Sequence, residues 1–226
     1  MAAPRRAAEG RLENRPSPVV PGPPLPAGVH EVDLGPGAEA LLAVPPGEPV
    51  PRPLLVFFHG AGGKAEQSLA AVGEAVTGRG GLVLAPTSVG STWDLIAGGL
   101  GRDVAVMDAA LGEVFGRAAV DRIAVGGFSD GASYALSLGL ANGDLFDAVL
   151  AFAPGFVAPP TQEGEPRIWI THGAQDRVLP VDRCGRRVSR QLSAAGYDVT
   201  YEEFDGGHAV RREDVPAALD WWLRPG

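Results

Sequence analysis

The chain has 226 residues, which is enough for one domain with a sizeable core and too few for two comfortable domains. Apolar residues make up 45% and charged residues 20%, as in soluble globular proteins. The net charge of −8 argues against a nucleic-acid or anionic-membrane surface, because both need basic patches. No apolar run is long enough to span a bilayer. We therefore expect no nucleic-acid partner and no stable membrane insertion.

Cysteine content limits the redox and metal chemistry. Cys184 is the single cysteine, so an intrachain disulfide and a cysteine-cluster metal site are both excluded. Its position near a predicted helix start favours a small packing residue over a reactive thiol. Residues 7–28 contain no continuous apolar core behind Arg5-Arg6, so no secretory signal is predicted and a cytoplasmic protein is expected.

The domain organisation follows from composition and periodicity. Residues 1–27 are rich in proline and arginine and predict a flexible or extended N-terminal arm, packed on the surface from about residue 20, with residues 28–226 as the folded domain. The predicted strands are Val29–Leu34, Ala38–Val44, Leu54–Phe58, Leu82–Ala85, Asp121–Val125, Asp147–Phe152, Arg167–Thr171 and Val199–Phe204. The predicted helices are Glu66–Thr77, a helix N-capped by Asp103 that ends near Phe115, Ala132–Leu140, 183–195 and 213–223.

The first two strands are joined by Gly35-Pro36-Gly37, a turn sequence, and predict a hairpin. The later strands are nearly continuous in apolar residues and alternate with helices, which predicts an α/β fold with a doubly wound, mostly parallel sheet. In such sheets the chemistry gathers at the carboxyl ends of the strands.

The stretch Gly127-Phe128-Ser129-Asp130-Gly131 stands between a predicted strand and a predicted helix. A strand, a G-x-S-x-G turn and a helix together are typical of a nucleophile elbow. Ser129 would hold a strained conformation at the tip, so the positions two before and two after it must lack bulk. The alternative is an ordinary turn serine in a glycine-rich chain.

A nucleophilic serine needs a base and a carboxylate that orients the base. His208 and Asp176 follow two later strands, in the order that an elbow-type sheet requires. The alternative for His208 is a surface or helix-capping histidine. Asp182 and Asp205 compete with Asp176 as the acid, and His172 is interpreted as a structural hydrogen-bonding residue.

The oxyanion of an acyl-transfer intermediate also needs donors. One candidate is the backbone amide of Asp130, directly after the nucleophile. The other lies in the loop Gly60-Ala61-Gly62-Gly63, where we favour Ala61 with Gly60 or Gly62 as alternatives. A phosphate loop is not supported, because Lys64 is not followed by serine or threonine.

The motifs HGAGG (59–63), GFSDGA (127–132), THGAQDRVLP (171–180) and GGH (206–208) together resemble the α/β-hydrolase family. Within it the pattern is similar to the lid-poor carboxylesterase/phospholipase group, which includes acyl-protein thioesterases and bacterial predicted esterases. The elbow region is also similar to the polyhydroxyalkanoate-depolymerase-like branch. The resemblance implies an α/β-hydrolase fold with no large lid domain, and enzymes of this group need no cofactor or metal. It also implies Ser129 as nucleophile, His208 as base, Asp176 as acid, and Ala61 and Asp130 as the oxyanion hole.

Two departures from that group bear on the substrate. Asp130 stands where many of its esterases have glutamine, which adds a carboxylate beside the site. The segment Val157–Pro166 is short and proline-rich where many α/β-hydrolases insert a lid, so an open site for short or medium acyl esters is expected. The candidate substrate-binding residues are Gly60, Gly62, Trp93, Phe128 and Phe156. For Trp93 the alternative is a packing tryptophan.

These observations predict a carboxylesterase-type serine hydrolase that acts on a small-molecule ester through an acyl-enzyme. The alternatives are a thioesterase or lysophospholipase, a polyester-depolymerase-like esterase, and a non-catalytic relic that binds a small ligand. A homodimer is compatible with the sequence.

Overall fold

An eight-stranded sheet forms the centre of the protein in the computed structural model, which describes residues 5–18 and 20–224. The strands are β1 (Gly28–Glu31), β2 (Ala40–Val44), β3 (Arg52–Phe58), β4 (Leu82–Pro86), β5 (Val120–Phe128), β6 (Ala148–Phe152), β7 (Arg167–Gly173) and β8 (Val199–Phe204). Their order across the sheet is β1-β2-β4-β3-β5-β6-β7-β8. The β1–β2 and β2–β4 pairs are antiparallel and the remaining pairs are parallel. The predicted mostly parallel sheet with an N-terminal antiparallel hairpin is confirmed.

Helices cover both faces of this sheet. They are α1 (Arg5–Ala8), α2 (Ala65–Thr77), α3 (Asp94–Ala97), α4 (Arg102–Phe115), α5 (Asp130–Ala141), α6 (Gly185–Ala194) and α7 (Asp214–Leu223). Residues of α2 and α7 share one apolar cluster with Phe57, whereas residues of α4, α5 and α6 share the other with Phe58. Successive side chains of a strand point to opposite faces, so the buried part of β3, residues 54–58, must be apolar at every position. Burial of each such side chain contributes about 1.5–3 kcal/mol.

The register of β3, β5 and β6 places the ends of the strands together. Phe58 pairs with Gly127, and Phe128 pairs with Phe152. The loop after β3, the turn after β5 and the loop after β6 therefore begin side by side at one edge of the sheet. This edge carries the candidate site.

The start of α4 differs from the prediction. Gly101, not Asp103, is the N-cap, and Asp103 lies inside the helix. The Asp103 carboxylate instead accepts hydrogen bonds of 2.7 Å from the amides of Val89 and Asp94. Asp94 in turn accepts from the amides of Gly101 and Asp103, so the two aspartates cap the starts of α3 and α4 reciprocally.

The N-terminal arm contacts the domain earlier than composition suggests. Leu12 is 1% exposed, and its amide donates to the Asn142 side chain at 2.9 Å, just beyond the end of α5. Arg11 and Arg15 both pair with Asp144. The predicted arm also includes residues 1–4 and 19, and the predicted domain includes residues 225–226, all of which lie outside the described residues.

The segment 157–166 contains no helix and no strand in the described structure, only a bridge between Gly143 and Gly164. Among the described residues, the connection from β6 to β7 therefore carries no helix. No helix of the described residues is long and apolar enough to cross a membrane.

Candidate active site

Ser129 occupies the sharp turn between β5 and α5. Its backbone has φ 57° and ψ −118°, a region that residues with a side chain rarely adopt. The strain is tolerated because the Ser129 amide donates to the Phe152 carbonyl at 2.9 Å and α5 begins at the next residue. The turn places Ser129 just beyond the carboxyl end of β5.

The two flanking glycines are required by close backbone contacts. A Cβ built on Gly127 would lie 2.4 Å from the carbonyl carbon and oxygen of Gly131. A Cβ built on Gly131 would lie 2.3 Å from the Phe58 carbonyl oxygen and 2.4 Å from that of His59. The turn is therefore packed against itself and against the end of β3, which explains the absence of bulk at both positions.

The structure brings Ser129, His208 and Asp176 together. His208 Nε2 lies 2.9 Å from Ser129 Oγ, and His208 Nδ1 lies 2.6 Å from Asp176 Oδ2. These contacts join the elbow to the loops after β7 and β8, which are neighbouring parallel strands. Asp205 and Asp182 lie elsewhere: their carboxylates accept from Gln175 and Arg186, respectively.

Asp176 is held by its own turn. Its Oδ1 accepts hydrogen bonds of 2.8 Å from the amides of Val178 and Leu179. Burial raises the pKa of Asp176, but the Leu179 amide, His208 and the Val178 amide together bring this pKa below its usual value. The carboxylate is thus kept ionised at neutral pH beside the His208 imidazole.

His172 lies buried behind this carboxylate, as a structural histidine would. Its Nε2 is 2.8 Å from the Leu179 carbonyl and 3.3 Å from Asp176 Oδ2. A Cβ built on Gly185 would come within 2.7 Å of the ring, so α6 can begin here only with a glycine. Cys184, the N-cap of α6, is buried as expected.

The loop after β3 is held by the segment Ser88–Trp93. The Ser88 amide donates to His59 Nε2 at 3.0 Å, and Trp93 Nε1 donates to the His59 carbonyl at 2.9 Å. His59 Nδ1 lies 2.7 Å from the Gly60 carbonyl, so the neutral ring is satisfied at both nitrogens. Burial lowers the pKa of His59, which keeps it in this form.

The same segment contacts the elbow. Thr92 Oγ1 donates to Asp130 Oδ2 at 2.7 Å, so the carboxylate after the nucleophile faces this segment. The backbone amides of Ala61 and Asp130 form no hydrogen bond within the described structure. Both amides are therefore free to donate, one directly after Ser129 in the chain and the other in the loop after β3. The sequence did not predict that His59 and Thr92 hold the loops around Ser129, because these contacts join loops that are distant in the chain.

Of the predicted substrate-binding residues, Gly60 and Phe128 lie next to the nucleophile, whereas Gly62 and Phe156 lie in the loops after β3 and β6. A Cβ on Gly60 would lie 3.5 Å from the Ser129 Cβ, and the Phe128 ring is 4.7 Å from the His208 ring, so both adjoin the nucleophile. Gly62 has φ 68°, which favours glycine in the loop. Phe156 is half-buried in the loop after β6, where its amide faces Ser133 Oγ at 3.4 Å.

Trp93 corrects the prediction of an acyl-pocket residue. It is 1% exposed and stacks on Tyr134 with ring centroids 5.0 Å apart. Phe58 and His59 cover its other sides, each 4.7 Å away. The alternative of a packing tryptophan is the one that the structure supports.

Comparison with known proteins places this arrangement in a family. A model of the phospholipase/carboxylesterase family matches residues 107–221, just over half of the chain, from α4 to α7. The chain belongs to the phospholipase/carboxylesterase family. The matched region includes the segments that carry Ser129, Asp176 and His208. The predicted family is confirmed.

A curated relative of this phospholipase/carboxylesterase family protein is acyl-protein thioesterase 1 of Gibberella zeae, 28% identical over 110 residues. That match covers 44% of the chain and 45% of the relative, so it spans less than half of either protein.

Solved structures share the fold of this phospholipase/carboxylesterase family member. Esterase PE8 matches with a TM-score of 0.64 and 21% identity, over 88% of this chain and 97% of that one. The S-formylglutathione hydrolase FrmB of Staphylococcus aureus matches with a TM-score of 0.70 and 13% identity, over 88% and 100%. A carboxylesterase of Bacillus cereus matches with a TM-score of 0.61 and 19% identity, over 82% and 93%.

Proposed function

We propose that the protein is a serine hydrolase that cleaves small carboxylic esters through an acyl-enzyme. The observation that carries the proposal is the hydrogen-bonded series Ser129–His208–Asp176, which begins at a strained elbow beside two unpartnered amides. Membership of the phospholipase/carboxylesterase family supports the same reaction class.

In this mechanism Ser129 Oγ attacks the ester carbonyl carbon while His208 Nε2 takes the hydroxyl proton. Asp176 stabilises the imidazolium through Nδ1, and the amides of Ala61 and Asp130 donate to the oxyanion. The carbon–oxygen bond to the alcohol then breaks, and the leaving oxygen takes the proton from His208. Water, activated by the same imidazole, attacks the acyl-enzyme and releases the acid.

The acyl group is expected to be short or medium in length. The loop after β6 ends without a lid helix, and no insertion in the described structure encloses a long tunnel above Ser129. An open site leaves much of a long chain in water, so added methylenes gain little binding free energy.

The test is the hydrolysis of p-nitrophenyl esters from acetate to palmitate by wild type, Ser129→Ala and Ser193→Ala. Ser193 is an exposed serine on α6 and serves as a matched control. We expect a short- or medium-chain optimum that Ser193→Ala retains and that Ser129→Ala lowers by about 10⁴- to 10⁶-fold in kcat. Full activity in Ser129→Ala would refute the mechanism. Absence of both turnover and labelling by a serine-reactive phosphonate would indicate the ligand-binding relic.

A thioesterase is the second candidate, because the curated relative is an acyl-protein thioesterase. The same acyl-enzyme would form, with a thiol as leaving group. The kcat/KM values for matched oxygen and thiol esters of one acyl group decide between the two, since the acyl pocket is then held constant.

A further inference from the structure

A cavity of about 310 Å³ lies between the loop after β3 and the start of α2, and the mechanism so far gives it no role. We call it the α2 cavity. Its lining includes the end of β3, the loop after β3, the start of α2 and the segment after His208: Phe57, Gly60, Ala61, Ala71, Phe128 and Val210.

Residues that line the α2 cavity adjoin both reacting groups. Gly60, on its wall, is close enough to Ser129 that an added Cβ would touch the serine Cβ at 3.5 Å. Phe128, which also lines the cavity, lies with its ring 4.7 Å from the His208 ring, and Val210 is two residues beyond His208. A group in this cavity would therefore sit on the side of Ser129 where His208 stands.

Position relative to His208 distinguishes the two halves of an ester. The leaving oxygen must accept its proton from His208 Nε2, so the alcohol part must lie on the His208 side of the carbonyl carbon. Resting on the proposed function, we propose that the α2 cavity binds the alcohol part of the ester and selects compact, uncharged alcohols.

The chemistry of the lining restricts the alcohol. Phe57, Ala71, Phe128 and Val210 present carbon atoms, and Gln67 and Ser68 add one amide and one hydroxyl group. No aspartate, glutamate, lysine or arginine is among the described residues that line the cavity. His59 also lines it, but both of its ring nitrogens are engaged elsewhere. Because an unpaired charge is costly to bury, charged head groups should be excluded. At about 30 Å³ per water molecule, the volume equals about ten waters, which is room for a butyl or benzyl group.

Two variants fill the cavity from opposite sides. Ala71→Phe adds a ring from α2, and Val210→Phe adds one from the segment after His208. Ala70→Phe is the matched control, because Ala70 is exposed on the same helix and does not line the cavity. Thermal unfolding of each variant verifies folding, and acid release in a pH-stat gives kcat/KM for two substrate series. One series is methyl, butyl and benzyl acetate; the other is methyl acetate, butyrate and hexanoate.

We expect each filling variant to lower the benzyl-to-methyl acetate ratio of kcat/KM by about tenfold or more, because a well-matched apolar pocket discriminates to that degree. The hexanoate-to-acetate ratio should not change, and Ala70→Phe should alter neither ratio. A changed acyl ratio with a constant alcohol ratio would assign the cavity to the acyl chain and overturn the proposal. Constant ratios with retained turnover would overturn it while leaving the esterase proposal standing. No ester turnover by wild type would overturn both.

Discussion

Gly131→Ala tests whether the contact between the elbow and the loop after β3 sets the geometry of the site. The added Cβ would lie 2.3 Å from the Phe58 carbonyl oxygen, whereas real Cβ atoms essentially never come closer than 3.0 Å. The start of α5 and the end of β3 must therefore separate by about 0.7 Å or more. Asp130 lies at the start of α5 and Ala61 follows the end of β3, so this movement also separates the two proposed oxyanion donors.

The expected loss is large for one methyl group. A misplacement near 1 Å costs about 10²-fold in rate, because hydrogen bonds to the oxyanion lose their alignment. Overpacking costs about 1–3 kcal/mol of the free energy of unfolding. We therefore expect Gly131→Ala to remain folded with a lower Tm, and to lose about 100-fold in kcat/KM.

Gly139→Ala is the matched control on the same helix. Its Cβ would meet Val149 Cγ2 at 2.5 Å, so it too should destabilise the protein, but nearly three helical turns away from Ser129. The assay is p-nitrophenyl acetate hydrolysis, normalised to folded protein, together with thermal unfolding. If Gly131→Ala stays within threefold of wild type, or Gly139→Ala loses as much activity, the steric reasoning is wrong.

Three further predictions concern charged or titratable groups. Asp176→Asn should lower kcat by about 10⁴-fold, since an amide stabilises the wrong His208 tautomer, whereas Asp205→Asn should stay within threefold; equal effects would identify a different acid. His59 has a lowered pKa in the folded protein, so the unfolded chain takes up its proton first, near pH 6.5, and the free energy of unfolding should fall as pH drops below that value. His59→Gln should flatten this slope in urea titrations between pH 5 and 7.5, and an unchanged slope would contradict it. Arg11 and Arg15 of the arm lower the pKa of Asp144 to about 2, so these ion pairs should hold the arm on the domain above pH 4 and release it as pH falls towards 2. Asp144→Asn should therefore speed tryptic cleavage of the arm at neutral pH. Unchanged cleavage would refute the role of these ion pairs.

The site residues could be placed from sequence because parallel strands deliver their carboxyl ends to one edge. Ser129, Asp176 and His208 each lie in the turn or loop that follows a strand of the parallel part of the sheet, so three separate local patterns converge at one edge. The glycines on both sides of Ser129 could also be predicted, because the G-x-S-x-G pattern marks the elbow. The structure gives the reason: a Cβ at Gly127 or Gly131 would lie 2.3–2.4 Å from backbone atoms.

The loop side chains could not be placed in the same way. Trp93 has no periodic neighbours in sequence to indicate its direction, and its burial depends on Tyr134, which is 41 positions away. Aspartate is a common N-cap residue, but Asp103 does not cap its own helix. Instead the Asp94 carboxylate accepts from the Asp103 amide, and the Asp103 carboxylate accepts from the Asp94 amide. Leu12 stands between charged and polar residues of the arm, and its backbone amide is held by Asn142. Each of these outcomes follows from partners distant in the chain.

The backbone of Ser129 has a consequence for how such a protein changes over generations. A non-glycine residue at φ 57° costs about 1–3 kcal/mol, and glycine would recover most of that cost. Ser129→Gly should therefore be more stable than the wild type while lacking the nucleophile. A chain that had lost its chemistry would tolerate this replacement, since selection removes mainly the changes that lower stability below what the fold requires. The serine at this turn is the residue that a catalyst must keep and that a mere scaffold would discard first.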